Sequence, residues 1–478
     1  MDRSQELRAF RSRRPRGLLV RVMFKQLRTL ALSPRARVLA LATVTGATAW
    51  FFWAAVRNQT PRTFWDSSAY LQAAGQPWSW AQLYYPKPPF TALVYRTIGT
   101  DLATIVHVQA AFALASWLVL GTALVTAFRR PAARAAAVVA IVVFVLAPNR
   151  VGYVDAILSE SINDSLMALV LAAAIWLTRA TGRWRIAGAC GLVLVGLPWI
   201  FTRDTNAVTV LVAIAVCAGT LRGRLVRDGW AIAAAACLAC ASAVAMWSAN
   251  IVPPPTGLTV QSGWAPDFTA RTTLSMMNNV FDRVLPDDEA RAYFVERGLP
   301  QVDELRALMS KVDNRSATFF DPHYADARRW IAGNARSVWT HWLVRHPVER
   351  ILELAQNGWT LLGADRDQIG YMPVGWYGGH RSLARGLTWN RPILIALLLL
   401  GPIALWRARR HPCAFVALCA IASGLPATAV AFYGDTAEPA RHCFGAGQQI
   451  VFGLVLALLA QLDSRVGQLR TTGSAART

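Results

Sequence analysis

Long apolar runs separated by short polar, arginine-rich stretches recur along this chain. They lie near 38–56, 102–127, 135–148, 164–178, 186–201, 205–220 and 229–250, and again near 391–406, 411–432 and 444–462. Each predicts a helix able to cross a bilayer, alone or, for the shorter runs, inside a packed bundle, because the hydrocarbon core takes about 20 helical residues. Between the two groups of runs, 251–390 is polar but carries tryptophans, tyrosines and helical periodicity, as in HPVERILELAQNGWTLL at 346–362. The expected fold is an all-α polytopic membrane protein with about ten transmembrane helices and a small, mainly helical extracytoplasmic domain. The segments expected are a basic N-terminus (1–37), spans over 38–250 with a first outer loop at 57–101, the helical segment 251–390, three spans over 391–462, and a tail at 463–478.

Composition strengthens this reading: 54% of the 478 residues are hydrophobic and the mean hydropathy is +0.33. The formal net charge of +22 comes from arginines clustered between apolar runs, in RRPAAR at 129–134, RATGRWR at 179–185, LRGRLVR at 221–227 and RARRHP at 407–412. That placement orients spans and meets anionic membrane lipids, and it argues against a nucleic-acid partner. With ten spans, these clusters and the basic N-terminus share one side, which puts both termini in the cytoplasm and the loop at 57–101 outside. Residues 17–30 alternate apolar and basic positions as a cationic surface helix would, and the arginine-rich start excludes a cleavable signal peptide. Seven cysteines fall almost wholly inside apolar runs, so no disulfide framework is expected; Cys237 and Cys240, in CLAC, read as small packing residues.

Candidate chemistry gathers in the outer turns. The first loop, TFWDSSAYL followed by YYPKPPF, sets Asp66 among Trp65, Tyr70, Trp78, Trp80, Tyr84 and Tyr85, with Lys87 between prolines. Aromatic faces stack on sugars and a carboxylate among them accepts a hydroxyl proton, but the same residues also suit an interfacial belt with Asp66 capping a helix. VDAILSESIND places Asp155, Glu160 and Asn163 at the mouth of a span, where a carboxylate has to be solvated or paired. TRDTN holds Arg203 and Asp204 near headgroup depth, either as a phosphate ligand or as a local pair marking the turn. GDTAEPARHCF packs Asp435, Glu438, Arg441 and His442 into one turn that opens a helix, a suitable place for an anion. DRD at Asp365–Asp367 mimics a metal–nucleotide carboxylate pair but has no nucleotide fold around it, and phosphate loops, HExxH and GxSxG motifs are absent.

This layout, with FWDSSAYL and YYPKPPF as a first outer loop, LSES entering a later span and TRDTN before another, resembles the GT-C superfamily of membrane glycosyltransferases. The resemblance implies that Asp66 is the general base for an acceptor hydroxyl and that the donor is a polyprenyl-phosphate sugar. Trp65, Tyr70, Tyr84, Tyr85, Lys87, Glu160, Arg203, Asp204, Asp435, Glu438, Arg441 and His442 are the expected substrate-binding residues. Many members carry two adjacent acids in this loop, whereas here Ser67 and Ser68 follow Asp66, so no residue is assigned to a metal and a divalent metal cofactor stays open. A cell-envelope glycan, lipid or protein is the expected acceptor, with inversion at the anomeric carbon. The Ala- and Arg-rich composition points to the inner membrane of a bacterium with a GC-rich genome, where arabinose or mannose on decaprenyl phosphate is a natural donor. The rival reading is a lipid-linked glycan flippase or transporter, which usually places ionisable groups deep within its spans.

Overall fold

The computed structural model describes residues 45–50, 52–53, 56, 60–84, 87–220, 229–250, 271–309, 321–362, 391–436 and 439–464. The surface helix expected at 17–30, most of the first span, the basic loop at 221–227, Tyr85, Asp365–Asp367, Glu438 and most of the tail lie outside them. Residues 45–50 are helical and belong to a separate unit. Among the described residues the chain is helical throughout, with one isolated bridge and no strand.

The loop between the first two apolar runs forms α1 (Trp65–Gly75), a short 3-10 turn (Trp80–Tyr84) and α2 (Pro89–Ile98). There follow α3 (Leu102–Ala127), α4 (Pro131–Val145), the short α5 (Pro148–Val154), α6 (Glu160–Leu177), α7 (Arg183–Ile200), α8 (Asp204–Thr220) and α9 (Gly229–Asn250). The polar segment folds as α10 (Arg271–Asn279), α11 (Asp288–Val295), α12 (Val302–Met309), α13 (Ala325–Trp330), α14 (Arg336–Arg345), α15 (Pro347–Gln356) and α16 (Gly358–Leu361). Three long helices complete the bundle: α17 (Arg391–Arg407), α18 (Pro412–Gly434) and α19 (Pro439–Ser464). Proline opens α2, α4, α5, α15 and α18, where its missing N–H costs no helical bond.

Among the described residues five helices are long and apolar enough to cross a membrane: α3, α6, α9, α18 and the Arg441–Ser464 part of α19. The chain is therefore an all-α, membrane-embedded protein. The candidate span in α19 is 83% buried and that in α9 only 22%, so α19 runs through the middle of the bundle and α9 along its flank. A Cβ on Gly453 would meet Ile421 at 2.8 Å, which is why α18 and α19 approach so closely there. Cys237 and Cys240 lie exposed on α9 rather than packed inside, on a surface suited to lipid.

The helices run between two ends with different chemistry. At one end the Asp463 carboxylate accepts hydrogen bonds from the Arg129 and Arg130 amides at 3.0 and 2.8 Å and faces His411 Nε2 at 3.2 Å. Two of the basic loops thus meet the C-terminal turn of α19. Asp66, Lys87, Glu160, Arg203 and Arg441 collect at the other end.

The segment from α10 to α16 has its own apolar core, including Phe281, Phe294, Leu305, Ile331, Trp339 and Trp342. It is clamped to the end of α18. Asn279 Nδ2 donates to the carbonyls of Tyr433 and Gly434, both at 3.0 Å, and the Trp339 indole N–H donates to Tyr433 O at 2.9 Å. Arg283 donates to Phe432 O at 3.0 Å and lies over the Phe432 ring.

Candidate functional site

A backbone clasp brings the first loop to the mouth of α6. The Arg62 amide donates to Asp155 O at 2.9 Å and the Ile157 amide donates to Arg62 O at 3.0 Å, forming an isolated parallel bridge. The Arg62 guanidinium pairs with the Asp155 carboxylate. Ser67 adds a second tie, since its hydroxyl donates to Ile157 O at 2.7 Å and accepts from the Phe64 amide at 2.8 Å. Helix α1 consequently starts at Trp65 with Phe64 as its N-cap, so Asp66 sits in the first turn and does not cap the helix. Its carboxylate is left to face the bundle.

Asp66 meets two cations. Lys87 Nζ lies 2.7 Å from Oδ1, and Arg441, 375 residues away in sequence, donates to Oδ2 at 2.5 Å. Burial by itself would raise the Asp66 pKa, but the Lys87 ammonium and the Arg441 guanidinium hold it well below the usual carboxylate range. Burial would likewise lower the Lys87 pKa, yet the adjacent Asp66 carboxylate raises it, so the pair is ionic at neutral pH.

Behind Asp66 the charges alternate. Arg441 Nε is 3.4 Å from Glu160 Oε1, and Arg203 Nη1 donates to the same oxygen at 3.1 Å. Glu160 is only 2% exposed. Of the two alternatives for a carboxylate at the mouth of a span, Glu160 is therefore paired, as the cost of a buried carboxylate requires. Arg203 Nη2 lies 2.9 Å from His442 Nδ1. Because guanidinium only donates, Nδ1 accepts, and the imidazole proton sits on Nε2, 3.6 Å from Asp435 Oδ2. Asp435 in turn accepts from Ser275 at 3.1 Å and Asn278 at 3.0 Å, which links the α10–α16 segment to the cluster. Three carboxylates, three fixed cations and one histidine thus form a continuous chain.

Other expected residues are placed differently. Tyr70 is buried beside this cluster, shares a hydrogen bond with Ser159, and meets Tyr95 edge-on at 6.4 Å; burial raises its phenol pKa. Trp78 and Trp80 are exposed on the first loop. Trp65 opens α1 and Tyr84 ends the 3-10 turn, and their side chains, like Tyr85 and Glu438, lie outside the described residues. Asp204 opens α8, and its neighbour Arg203 turns to Glu160.

Sequence reasoning missed a second buried pair one turn along α6. Arg150 clasps the Asp164 carboxylate, its guanidinium carbon lies 3.9 Å over the Trp117 ring, and the Trp117 indole N–H donates to the same carboxylate at 3.0 Å. The signal was available: Asp164 falls four residues after Glu160, inside an apolar stretch that demands a partner. A small cavity lies between this pair and the cluster, lined by Arg150, Tyr153, Glu160, Ser161 and Phe444 among others. Glu160 Oε2 and Ser161 Oγ are buried there without a hydrogen-bond partner among the described residues. Among the described residues no three His, Cys, Asp or Glu side chains are grouped to hold a metal. No protein-family model matches this sequence, and no curated protein or solved structure matches it.

Proposed function

We propose that this chain is a GT-C-like membrane glycosyltransferase with ten spans. In this reading it moves a sugar from a polyprenyl-phosphate donor to a hydroxyl of a cell-envelope acceptor, with inversion at the anomeric carbon, on the extracytoplasmic face of a bacterial inner membrane. The observation that carries the reading is the meeting of Asp66 with Lys87 and Arg441, backed by Glu160 and Arg203, at one end of a bundle of membrane helices. A carboxylate beside fixed cations supplies both halves of the chemistry: a base for the acceptor and a positive site for the departing phosphate.

The charges balance through the reaction. The acceptor hydroxyl gives its proton to Asp66, its oxygen bonds to the anomeric carbon, and the bond from that carbon to the phosphate oxygen breaks. The electron pair stays on the lipid phosphate, which goes from one negative charge to two. Asp66 loses its charge as the phosphate gains one, so Lys87 and Arg441 exchange a carboxylate for a phosphate. The carrier reading gains nothing from Arg150 and Asp164, because that pair is closed by Trp117 and by the Phe144 carbonyl and works as a clamp.

The test is to reconstitute the purified protein with a panel of polyprenyl-phosphate sugars and envelope acceptors and to measure lipid phosphate release. Protein-dependent release with transfer of the sugar is expected, and donors that all stay intact would count against the reading. Sidedness has its own check. Gly75 ends α1 with nothing within 4 Å of an added Cβ, so Gly75→Cys should react with an impermeant maleimide in intact cells. Reaction only after lysis would invert the topology and remove the case for a lipid-linked donor.

A further inference from the structure

Helix α15 has two faces of opposite character. Arg350 and Glu353 face the bundle: the Arg350 carbonyl accepts from the Tyr433 hydroxyl, and Glu353 pairs with Arg283 at 3.0 Å and with Arg350 at 2.7 Å. Leu354 packs on the cluster of Leu361, Ala431, Phe432 and Cys443. On the opposite side Val348, Ile351 and Leu352 are 64%, 67% and 56% exposed, Ala355 is exposed beside them, and Val344 just before the helix is 72% exposed. Positions 348, 351, 352 and 355 follow helical spacing, so they form one continuous apolar stripe.

The tie to Tyr433 sets the depth of this stripe. Helix α18 has 23 residues, about 35 Å at 1.5 Å per residue, against a hydrocarbon core of about 30 Å. Tyr433, one residue from the end of α18, therefore lies at the membrane–water boundary, and α15 is bonded to it there. Arg345 at the end of α14 adds a cation where anionic headgroups lie.

We infer that α15 is an interfacial helix that lays Val348, Ile351, Leu352 and Ala355 into the headgroup–acyl boundary of the bilayer. The partner is the lipid surface itself, reached as a continuation of the lipid-facing surface of the spans. Because Arg283 and Glu353 join α15 to the segment that holds Asp435, this contact also anchors the Asp435 side of the charge cluster at a fixed height above the membrane. The inference requires only that α18 crosses the bilayer and stands apart from the transferase reading.

The test uses full-length protein with its native cysteines replaced, carrying Ile351→Cys or Leu352→Cys labelled with an environment-sensitive nitrobenzoxadiazole dye. It is reconstituted in phosphatidylcholine–phosphatidylglycerol vesicles, with Glu349→Cys on the polar flank as the aqueous control. Quenching by lipids with a nitroxide at acyl carbon 5 should be several-fold stronger at 351 and 352 than at 349, and quenching by aqueous iodide should show the reverse order. Iodide quenching at 351 equal to that at 349 would overturn the inference. So would protection from both quenchers, which would mean that residues 363–390, a second copy or another protein covers the stripe.

Discussion

Asp66→Asn is expected to lower sugar transfer by about 10² to 10⁴ in kcat, the usual contribution of a positioned base, while donor binding tightens. The second half of this expectation follows from geometry. Asp66 holds Lys87 Nζ and Arg441 Nη2, the two cations proposed for the incoming phosphate, and asparagine would remove that competitor. A fall in kcat with a fall in donor KM, together with unchanged membrane extraction, would fit. Turnover at the level of the unaltered protein would dismiss Asp66 as the base and transfer attention to Glu160, whose Oε2 has no partner among the described residues.

The pH dependence carries the same logic. In the resting protein Lys87 and Arg441 hold the Asp66 pKa well below its unfolded value of about 3.9. Its ion pairs therefore stabilise the fold fully above the unfolded value, and that stabilisation is lost only as pH falls through the depressed folded value. A carboxylate so strongly paired is a weak base. In the transferase reading it would become competent once the donor phosphate takes over the two cations, which would return its pKa toward the ordinary range.

Much of this site was legible in the sequence as residue types at the mouths of spans. Glu160, Arg203, Asp435, Arg441 and His442 stand where an apolar run begins or ends, where charge needs a reason, and Asp66 and Lys87 lie among aromatics and prolines in the loop between the first two runs. Their pairing was not legible. Arg203 had Asp204 beside it in sequence, yet it reaches Glu160 because α7 and α19 each pack on α6, and pattern along one chain carries no information about which helix lies against which. Among the described residues the limits of the apolar helices were readable to a few residues for the same physical reason in reverse. Hydropathy marks where a helix is apolar, so the polar first turn of α6, Glu160 to Asn163, reads as loop although it is already helical.

Arg441 is the residue whose loss should do the most structural damage. Its side chain is 8% exposed and bridges two carboxylates, with Asp66 Oδ2 at 2.5 Å and Glu160 Oε1 at 3.4 Å. Arg441→Ala leaves Glu160 with Arg203 and Asp66 with Lys87, and turns a balanced cluster into one with an excess negative charge beside a buried carboxylate. Removing one partner of a buried pair costs about 3–5 kcal/mol, since the remaining charge keeps its desolvation penalty and loses its attraction. The thermal midpoint in detergent should fall sharply, and donor binding should fall with it. Arg441→Lys separates the two roles. A single ammonium restores the net charge but cannot make contacts with both carboxylates through the separate nitrogens of a planar fork, so stability should largely return while donor affinity stays low. An unchanged midpoint in Arg441→Ala would mean that Lys87 and Arg203 alone neutralise the two acids, and Arg441 would then be free to serve the phosphate without holding the fold.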